Sequence, residues 1–285
     1  MEIHASLVRR LGLTSPPIGV SFLRSDPPRD VKRPDKQYTF CEIVTLSRRE
    51  NRIIGLTGDD IDCRFALEVL GLKSTSWDEV RSVIESKRFG PHTLEFIRTI
   101  PRIAGGTYRS VVTGPLKDLS INPDVVLIHG NADQIVKLVN AWTWISGKPV
   151  SAGMQGIGGV CSESVAAAYT KGEPTVCALP CRGARELGKL EVGETIFGSL
   201  YSLLEGLIEG LEAMEASSKD VESMVIELLR KKGRMTTRAI TRELLMLLPH
   251  CPDYPAHVLA KMRSKGKIQS EFSIKDKGFV WWVES

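Results

Sequence analysis

Blocks of apolar residues separated by polar turns run through the first two thirds of the chain, and they predict alternating strands and helices. The clearest block is Asp124–Gly130, an apolar run that ends in glycine and precedes a helical pattern through Trp144. A strand, a tight turn and a helix in this order are typical of an α/β layout with buried strands. Further strands are predicted at Ile18–Leu23, Tyr108–Val112 and Thr175–Leu179.

Two longer helical patterns complete the predicted body. A capping box at Ser76 predicts a helix toward Lys87. From Thr195 to Ala216, apolar residues recur at the spacing of one helical face, which predicts a long closing helix. Its apolar positions are Ile196, Phe197, Leu200, Leu203, Leu204, Leu207, Ile208 and Leu211. The polar stretch 217–220 predicts a linker. The chain is therefore divided into 1–216, an α/β body with a mixed or parallel sheet, and 220–285, a small second domain.

After the linker, three short helical patterns precede two strand patterns. The helices are predicted at Val221–Lys232, from Thr236 or Thr237 to about Leu248, and at Ala256–Ser264. A turn is predicted between the last two helices, at Pro249–Asp253, and strands at Ile268–Phe272 and Phe279–Val283. A winged helix-turn-helix has this order, and its third helix enters the major groove of DNA.

The charge of the chain supports a polyanionic partner for this second domain. The net charge is +4, and Ser218–Ser285 holds 13 Lys and Arg against 8 Asp and Glu. Basic side chains on the third helix, at its exit and in the wing could neutralise phosphates. They are His257, Lys261, Arg263, Lys265, Lys267, Lys275 and Lys277. A solvated basic face and a protein-docking module are the alternatives to DNA binding.

Composition places the chain among ordinary globular proteins, with 42% apolar and 25% charged residues. No run approaches the roughly 18 apolar residues that span a bilayer, and the N-terminus lacks the layout of a signal peptide. We therefore predict a cytoplasmic protein without a membrane segment. In a reducing compartment its six cysteines would be free, metal-bound or reactive rather than paired in disulfides.

Five cysteines lie in the body, and their spacing alone leaves their role open. They are Cys41, Cys63, Cys161, Cys177 and Cys181. No spacing forms a zinc motif, so a shared metal site depends on the fold to bring the thiols together. Cys161 precedes a predicted helix, whose N-terminus favours a thiolate. Cys177 lies in an apolar strand and is predicted to be a small buried hydrophobe. Cys251 receives no function.

Several short segments, in a fixed order, resemble a known family. The segments are Pro17–Phe22, Phe40–Glu42, Asp62–Cys63, Pro123–Ile128, Val160–Glu163 and Leu179–Gly183. Together, over about residues 1–211, they resemble the uncharacterised archaeal and bacterial domain-of-unknown-function family 169, also called ArCR. The resemblance implies a cysteine set, namely Cys41, Cys63, Cys161 and Cys181, and no particular reaction. Cys177 has no counterpart in the family pattern.

The implied cysteine set leads to three hypotheses. Four thiolates could complete an iron–sulfur cluster or a zinc site, which predicts a metal- or redox-responsive regulator whose state changes DNA binding. A homodimer is expected if half-sites are recognised. The second hypothesis is an enzyme of sulfur or redox chemistry, with Cys161 or Cys181 as thiolate and Arg182 or Arg185 holding an anionic substrate. The third is a small-molecule-binding protein with structural cysteines.

Overall fold

The computed structural model describes residues 2–74, 92–245 and 254–284. The chain divides into two units, Met1–Leu211 and Glu212–Ser285. A seven-stranded sheet organises the first unit and a three-stranded sheet organises the second. None of the helices in the described ranges is long and apolar enough to cross a membrane.

The sheet of the first unit is mixed, as the sequence predicted. Its strand order is β2-β3-β1-β4-β7-β6-β5, and β5 and β6 pair in parallel while the other neighbours pair antiparallel. The strands are β1 (Ile18–Leu23), β2 (Ile54–Thr57), β3 (Ser110–Pro115), β4 (Val125–Gly130), β5 (Ser151–Gly153), β6 (Thr175–Cys177) and β7 (Thr195–Leu200).

Helices connect these strands. Those of the first unit are α1 (Glu2–Leu11), α2 (Phe40–Glu50), α3 (Arg64–Val69), α4 (Thr93–Thr99), α5 (Ala132–Ser146), α6 (Ala167–Lys171) and α7 (Arg182–Glu186). A π-helix, Gly159–Ala166, leads into α6, and short 3₁₀ turns lie at Gly58–Asp60 and Tyr201–Leu203. The helix α8 (Leu204–Lys232) starts in the first unit and ends in the second.

Local sequence signals account for the ends of the helices. A capping box closes the start of α5, where Asn131 accepts from the Gln134 N–H and Gln134 accepts from the Asn131 N–H. Gly147 ends α5 with φ 68°, a left-handed conformation that glycine adopts without steric cost. Thr39 and Glu42 form the same box at the start of α2. The predicted strand at β4 and the helix that follows it are thereby confirmed.

The prediction of a helix from Thr195 is wrong for its first part. Residues Thr195–Leu200 form strand β7, which lies between β4 and β6. Ile196, Phe197, Gly198 and Ser199 are all buried, because both faces of this central strand are covered. A strand covered on both faces shows no two-residue alternation, so its apolar run was read as part of the helical face that follows it.

The predicted linker is also wrong, because the backbone at 217–220 is helical and belongs to α8. Smaller differences concern strand ends: β3 begins at Ser110 instead of Tyr108, and β6 ends at Cys177 instead of Leu179. The helix predicted from Ser76, the end of the second C-terminal helix, the turn at 249–253 and Cys251 lie outside the described residues.

The second unit contains the end of α8, two further helices and three strands. They are β8 (Met235–Thr236), α9 (Thr237–Leu245), α10 (Tyr254–Ser264), β9 (Gln269–Ser273) and β10 (Gly278–Trp282). The antiparallel strands take the order β8-β10-β9. A separate apolar cluster forms the core, in which Val225, Ile240, Leu259 and Met262 are fully buried.

Candidate functional site

Each cysteine of the predicted set lies at or near the start of a helix. Cys41 is in the first turn of α2, and Cys63 and Cys181 are the N-cap residues of α3 and α7. Cys161 is the third residue of the π-helix. A π-helix is rare, and where one occurs it frequently marks a functional site. Four separate segments of the chain therefore each place one thiol in or against the same apolar core.

The four thiols are close enough to influence one another. Burial raises the pKa of Cys41, and Cys181 and Cys63 raise it further. Burial raises the pKa of Cys63, and Cys181 adds to the increase. Burial raises the pKa of Cys161 well above its usual range, with further increases from Cys41, Cys63 and Cys181. These influences cover every pair among the four residues, and all four lie in or against one apolar core cluster, so the fold places them in the same region.

Backbone amides point at two of the sulfur atoms. The N–H groups of Phe65 and Ala66 interact with Cys63 and oppose the increase of its pKa. The Gly159 N–H donates to Cys181 Sγ at 3.4 Å. Amide donors of this kind stabilise a thiolate, and they are common around sulfur that binds metal. The site thus has groups that favour ionised sulfur, although burial opposes ionisation.

Glycine allows the π-helix to approach the thiols closely. A Cβ at Gly159 would stand 3.1 Å from Cys177 Sγ and 3.1 Å from the Cys181 backbone nitrogen. A Cβ at Gly158, which has φ 66°, would stand 2.6 Å from the Phe65 ring. Part of the glycine-rich segment before Cys161 therefore serves close packing, as expected where two backbones meet.

Cys177 belongs to this cluster as well, although its sequence setting predicted a plain hydrophobe. Its side chain is fully buried at the end of β6. Burial raises its pKa, and the neighbouring Glu163 carboxylate, Cys181 and Cys41 raise it further. Glu163 is 2% exposed and was not singled out in the sequence, although it ends the family segment Val160–Glu163. Its place beside a thiol depends on tertiary packing, which the sequence pattern does not reveal.

As the side chains stand, no three His, Cys, Asp or Glu residues within 2–74, 92–245 and 254–284 are arranged to hold a metal ion. Cys41, Cys63, Cys161, Cys177 and Cys181 are all free thiols. The arrangement is therefore a group of neighbouring free thiols in an apolar setting.

The two arginines that were predicted to bind an anion flank this group. Arg182 is exposed and pairs with Glu186 one turn later on α7. Arg185 is exposed too, and its backbone N–H donates to the Cys181 carbonyl at 3.1 Å. The pairing with Glu186 leaves Arg182 less free to receive an anionic ligand than its position in the sequence predicted.

The basic residues predicted to contact nucleic acid fall into two groups in the second unit. Lys265 and Lys267 pair with the buried carboxylate of Glu222, at 2.9 Å and 2.5 Å. The remaining residues are exposed, on α10 or in the turn between β9 and β10: His257, Lys261, Arg263, Lys275 and Lys277. Two of the seven side chains thus have a structural role, which the sequence did not predict.

Apolar side chains accompany the exposed lysines of the β9–β10 hairpin. Phe272, Ile274 and Phe279 are 63%, 86% and 43% exposed, and the two phenylalanine rings pack edge to face with centroids 5.7 Å apart. Arg234 lies 4.1 Å above the centre of the Trp282 ring. Exposed aromatic rings beside basic groups are typical of surfaces that contact nucleic acid bases.

Comparison with known proteins places the first unit in a family. The model of domain-of-unknown-function family 169, described as Uncharacterised ArCR, matches residues 6–210. The Uncharacterized protein MJ0308 of Methanocaldococcus jannaschii is 22% identical over 218 residues, which cover 74% of this chain and 93% of the relative. No solved structure matches the chain. The family match confirms the resemblance of the body, and it ends just before the second unit.

Proposed function

Because this chain belongs to the Uncharacterised ArCR family, whose description states no activity, we propose a function from the site itself. The body binds a thiophilic metal ion or an iron–sulfur cluster through Cys41, Cys63, Cys161 and Cys181. The proposal rests on one observation, the presence of all four cysteines in or against the same apolar core cluster. The residues come from four different segments, so their meeting is a property of the fold.

Thiolate chemistry explains why a cation suits this site. A buried thiolate without a compensating charge is costly, so burial raises the pKa of Cys41, Cys63 and Cys161 and makes these thiols weak nucleophiles. A bound cation reverses this preference, since it deprotonates a coordinating thiol outright. The amides near Cys63 and Cys181 then donate to sulfur that carries negative charge. Burial thus favours metal ligation over an enzyme that uses a free thiolate.

Metal binding requires rearrangement of the side chains, because the thiols are not placed around one point. A cysteine side chain has a single sp³ torsion, with three staggered wells. Rotation between these wells redirects Sγ without moving the helix that carries it. Four such thiolates supply the sulfur ligands of a tetrahedral zinc site, or of a four-iron cluster.

Anaerobic purification with metal and sulfide analysis tests this proposal. The wild-type chain should carry stoichiometric zinc, or iron with sulfide and the visible absorption of a cluster. Cys161→Ala and Cys63→Ser should lose most of the bound metal. A suitable control is Glu42→Gln, because the Glu42 carboxylate lies next to Cys41 in the chain, accepts hydrogen bonds from the Thr39 N–H and hydroxyl, and is not a proposed ligand. Wild-type chain that is free of metal after reconstitution with zinc and with iron and sulfide would contradict the proposal.

A second observation favours nucleic-acid binding by the second unit. Among the described residues, the order helix, strand, helix, helix, strand, strand resembles that of a winged helix, in which the last helix before the hairpin enters the major groove. Here that helix is α10, and it exposes His257, Lys261 and Arg263. The excess of basic residues after Ser218 gives this unit a charge complementary to phosphate. The chain as a whole is then a metal-responsive, DNA-binding regulator.

Binding to duplex DNA at several salt concentrations tests this second part. Each phosphate contact contributes about 0.9 to the slope of log K against log salt concentration. Lys261→Ala and Lys275→Ala should each reduce the slope by about one contact. Lys265→Ala should leave the slope almost unchanged, because Lys265 pairs with Glu222. Equal affinity at low and high salt would contradict DNA binding by this surface.

A further inference from the structure

A buried carboxylate and a buried thiol lie side by side next to the four-thiol site. Glu163 belongs to the π-helix and is 2% exposed, and Cys177 ends β6 and is fully buried. Cys177 pairs in register with Gly153 of β5. The side-chain carbons of Glu163 would lie 2.8–2.9 Å from a Cβ at Gly153. The carboxylate therefore stands over the point where β5 and β6 pair, and only glycine leaves room for it there.

This carboxylate lacks part of its hydrogen bonding. Oε1 of Glu163 accepts from the Gln155 N–H. Oε2 is buried and receives no hydrogen bond from a nitrogen or oxygen donor in the part of the chain that the structure describes, and Gln155 Oε1 is also without a partner there. The donor beside the Glu163 carboxylate is the Cys177 thiol, and an S–H group is only a weak donor. A cation that replaces the thiol proton would bind the sulfur and both of these oxygen atoms.

We propose that Cys177, Glu163 and Gln155 form a second cation site, which holds a thiophilic divalent ion such as Zn²⁺ beside the four-thiol site. Its donors are Cys177 Sγ, Glu163 Oε2 and Gln155 Oε1. One thiolate and one carboxylate neutralise a divalent ion, so the filled site carries no net charge into the core. Sulfur and oxygen donors together are within the ligand range of zinc.

The binding step is balanced without an oxidant or reductant. The Cys177 thiol loses one proton to solvent, and its sulfur then forms a bond to the ion, whose oxidation state does not change. The site does not depend on the four-thiol proposal, because none of its three donors belongs to that set. It gives Cys177 a role that its apolar strand setting did not predict.

Cadmium NMR on the full chain tests the site, because ¹¹³Cd shifts distinguish sulfur-only from mixed sulfur and oxygen coordination. The protein is stripped with a chelator and loaded anaerobically with ¹¹³Cd²⁺. We expect one resonance from the four-thiol site and a second, upfield resonance from the mixed site. Glu163→Gln and Cys177→Ser should remove only the upfield resonance and reduce bound cadmium by about one ion per chain.

Glu42→Gln is the matched control, because Glu42 also neighbours a cysteine but accepts hydrogen bonds from the Thr39 N–H and hydroxyl. It should keep both resonances. One outcome is a single sulfur-only resonance, without an upfield resonance, that Glu163→Gln and Cys177→Ser leave unchanged. This outcome overturns the second site and keeps the first. An upfield resonance alone, insensitive to Cys63→Ser, supports the second site and overturns the first. Absence of bound cadmium overturns both.

Discussion

At the scale of single residues, buried charge and buried thiols dominate this protein. The Arg48 guanidinium, almost fully buried, pairs with Glu194 at 2.5 Å. In the second unit, Glu222 is the buried partner of two half-exposed lysines. Its pKa is lowered by the hydrogen bonds from Lys267 and Lys265. A carboxylate in this position stabilises the fold only while its cationic partners remain.

Replacement of both lysines should therefore destabilise the second unit. Lys265→Met together with Lys267→Met leaves the Glu222 carboxylate buried without a cation. The lysine side chains are 44% and 42% exposed, so solvent screening reduces the cost to about 1–2 kcal/mol. Urea denaturation measures the loss. Lys275→Met, in the exposed turn, should change stability by less than about 0.5 kcal/mol. Equal effects of the two changes would contradict the structural role of the pair.

The raised pKa values of the thiols predict a falling stability at alkaline pH in the metal-free protein. The unfolded chain releases its thiol protons near pH 9, whereas Cys161 in the folded state keeps its proton to higher pH. The stabilising contribution is therefore complete below the unfolded pKa and is lost as pH rises above it. One such thiol reduces the free energy of unfolding by about 1.4 kcal/mol per pH unit.

Urea denaturation of chelator-treated protein between about pH 8 and about pH 10 measures this slope. Cys161→Ala should have a shallower slope than the wild type, whatever its absolute stability. A wild-type stability that is constant over the range would show that the thiols ionise as easily in the folded state as in the unfolded one.

At the scale of elements, the strongest local signals in the sequence predicted elements correctly, whereas contacts between distant segments left no signal in it. The strand β4 and the helix α5 were predicted from a short apolar run and a following helical pattern. Cys161 was predicted just before a helix and is the third residue of the π-helix. The start of α2 just before Cys41 was missed, although Thr39 and Glu42 form a capping box.

The wrong prediction of a helix at β7 also involves a contact between distant segments of the chain. Ile196, Phe197 and Leu200 fit a helical face, but Gly198 has no place in that argument. In the fold, a Cβ at Gly198 would stand 2.0 Å from the Ser164 carbonyl oxygen of the π-helix. The glycine thus marks a close approach of two backbones, and this approach helps to place the helix that carries Cys161 and Glu163.

Gly198→Ala should consequently strain the contact between β7 and the π-helix. The added methyl overlaps backbone atoms that cannot rotate away, so we expect a loss of about 1–3 kcal/mol in stability, or more. Thermal unfolding measures the loss, and metal content should fall with it. Gly278→Ala in β10, where a Cβ would meet nothing within 4 Å, is the control. An unchanged melting temperature for Gly198→Ala would mean that the π-helix does not pack on this strand.

At the scale of the whole molecule, the chain joins a family body of unknown activity to a small basic unit. The family match ends at residue 210, and the second unit begins at Glu212. The sequence pattern predicted an α/β body, which the seven-stranded sheet with its helices confirms, whereas the winged helix-turn-helix stays a prediction. It could not show that four cysteines separated by up to 140 positions, from Cys41 to Cys181, meet in one core. That result depends on the strand order of the sheet.

Metal binding should stabilise the folded chain. A ligand that binds only the folded state adds about 2.7 kcal/mol at a free concentration of 100 times its dissociation constant. Zinc titration should therefore raise the unfolding temperature of the stripped protein, and Cys63→Ser should reduce the increase, because it removes a ligand of the four-thiol site and leaves the second site intact. An identical increase in the Cys63→Ser variant would assign the effect to another site.

X-ray absorption at the metal edge tests the central claim most directly, because it counts the sulfur atoms around the bound metal. In anaerobically purified Cys177→Ser chain, which isolates the four-thiol site, we predict about four sulfur neighbours at about 2.3 Å. Cys161→Ala in the same background should lower that number or remove the metal. If the metal in the Cys177→Ser protein has only nitrogen and oxygen neighbours, that result would contradict a shared site of Cys41, Cys63, Cys161 and Cys181.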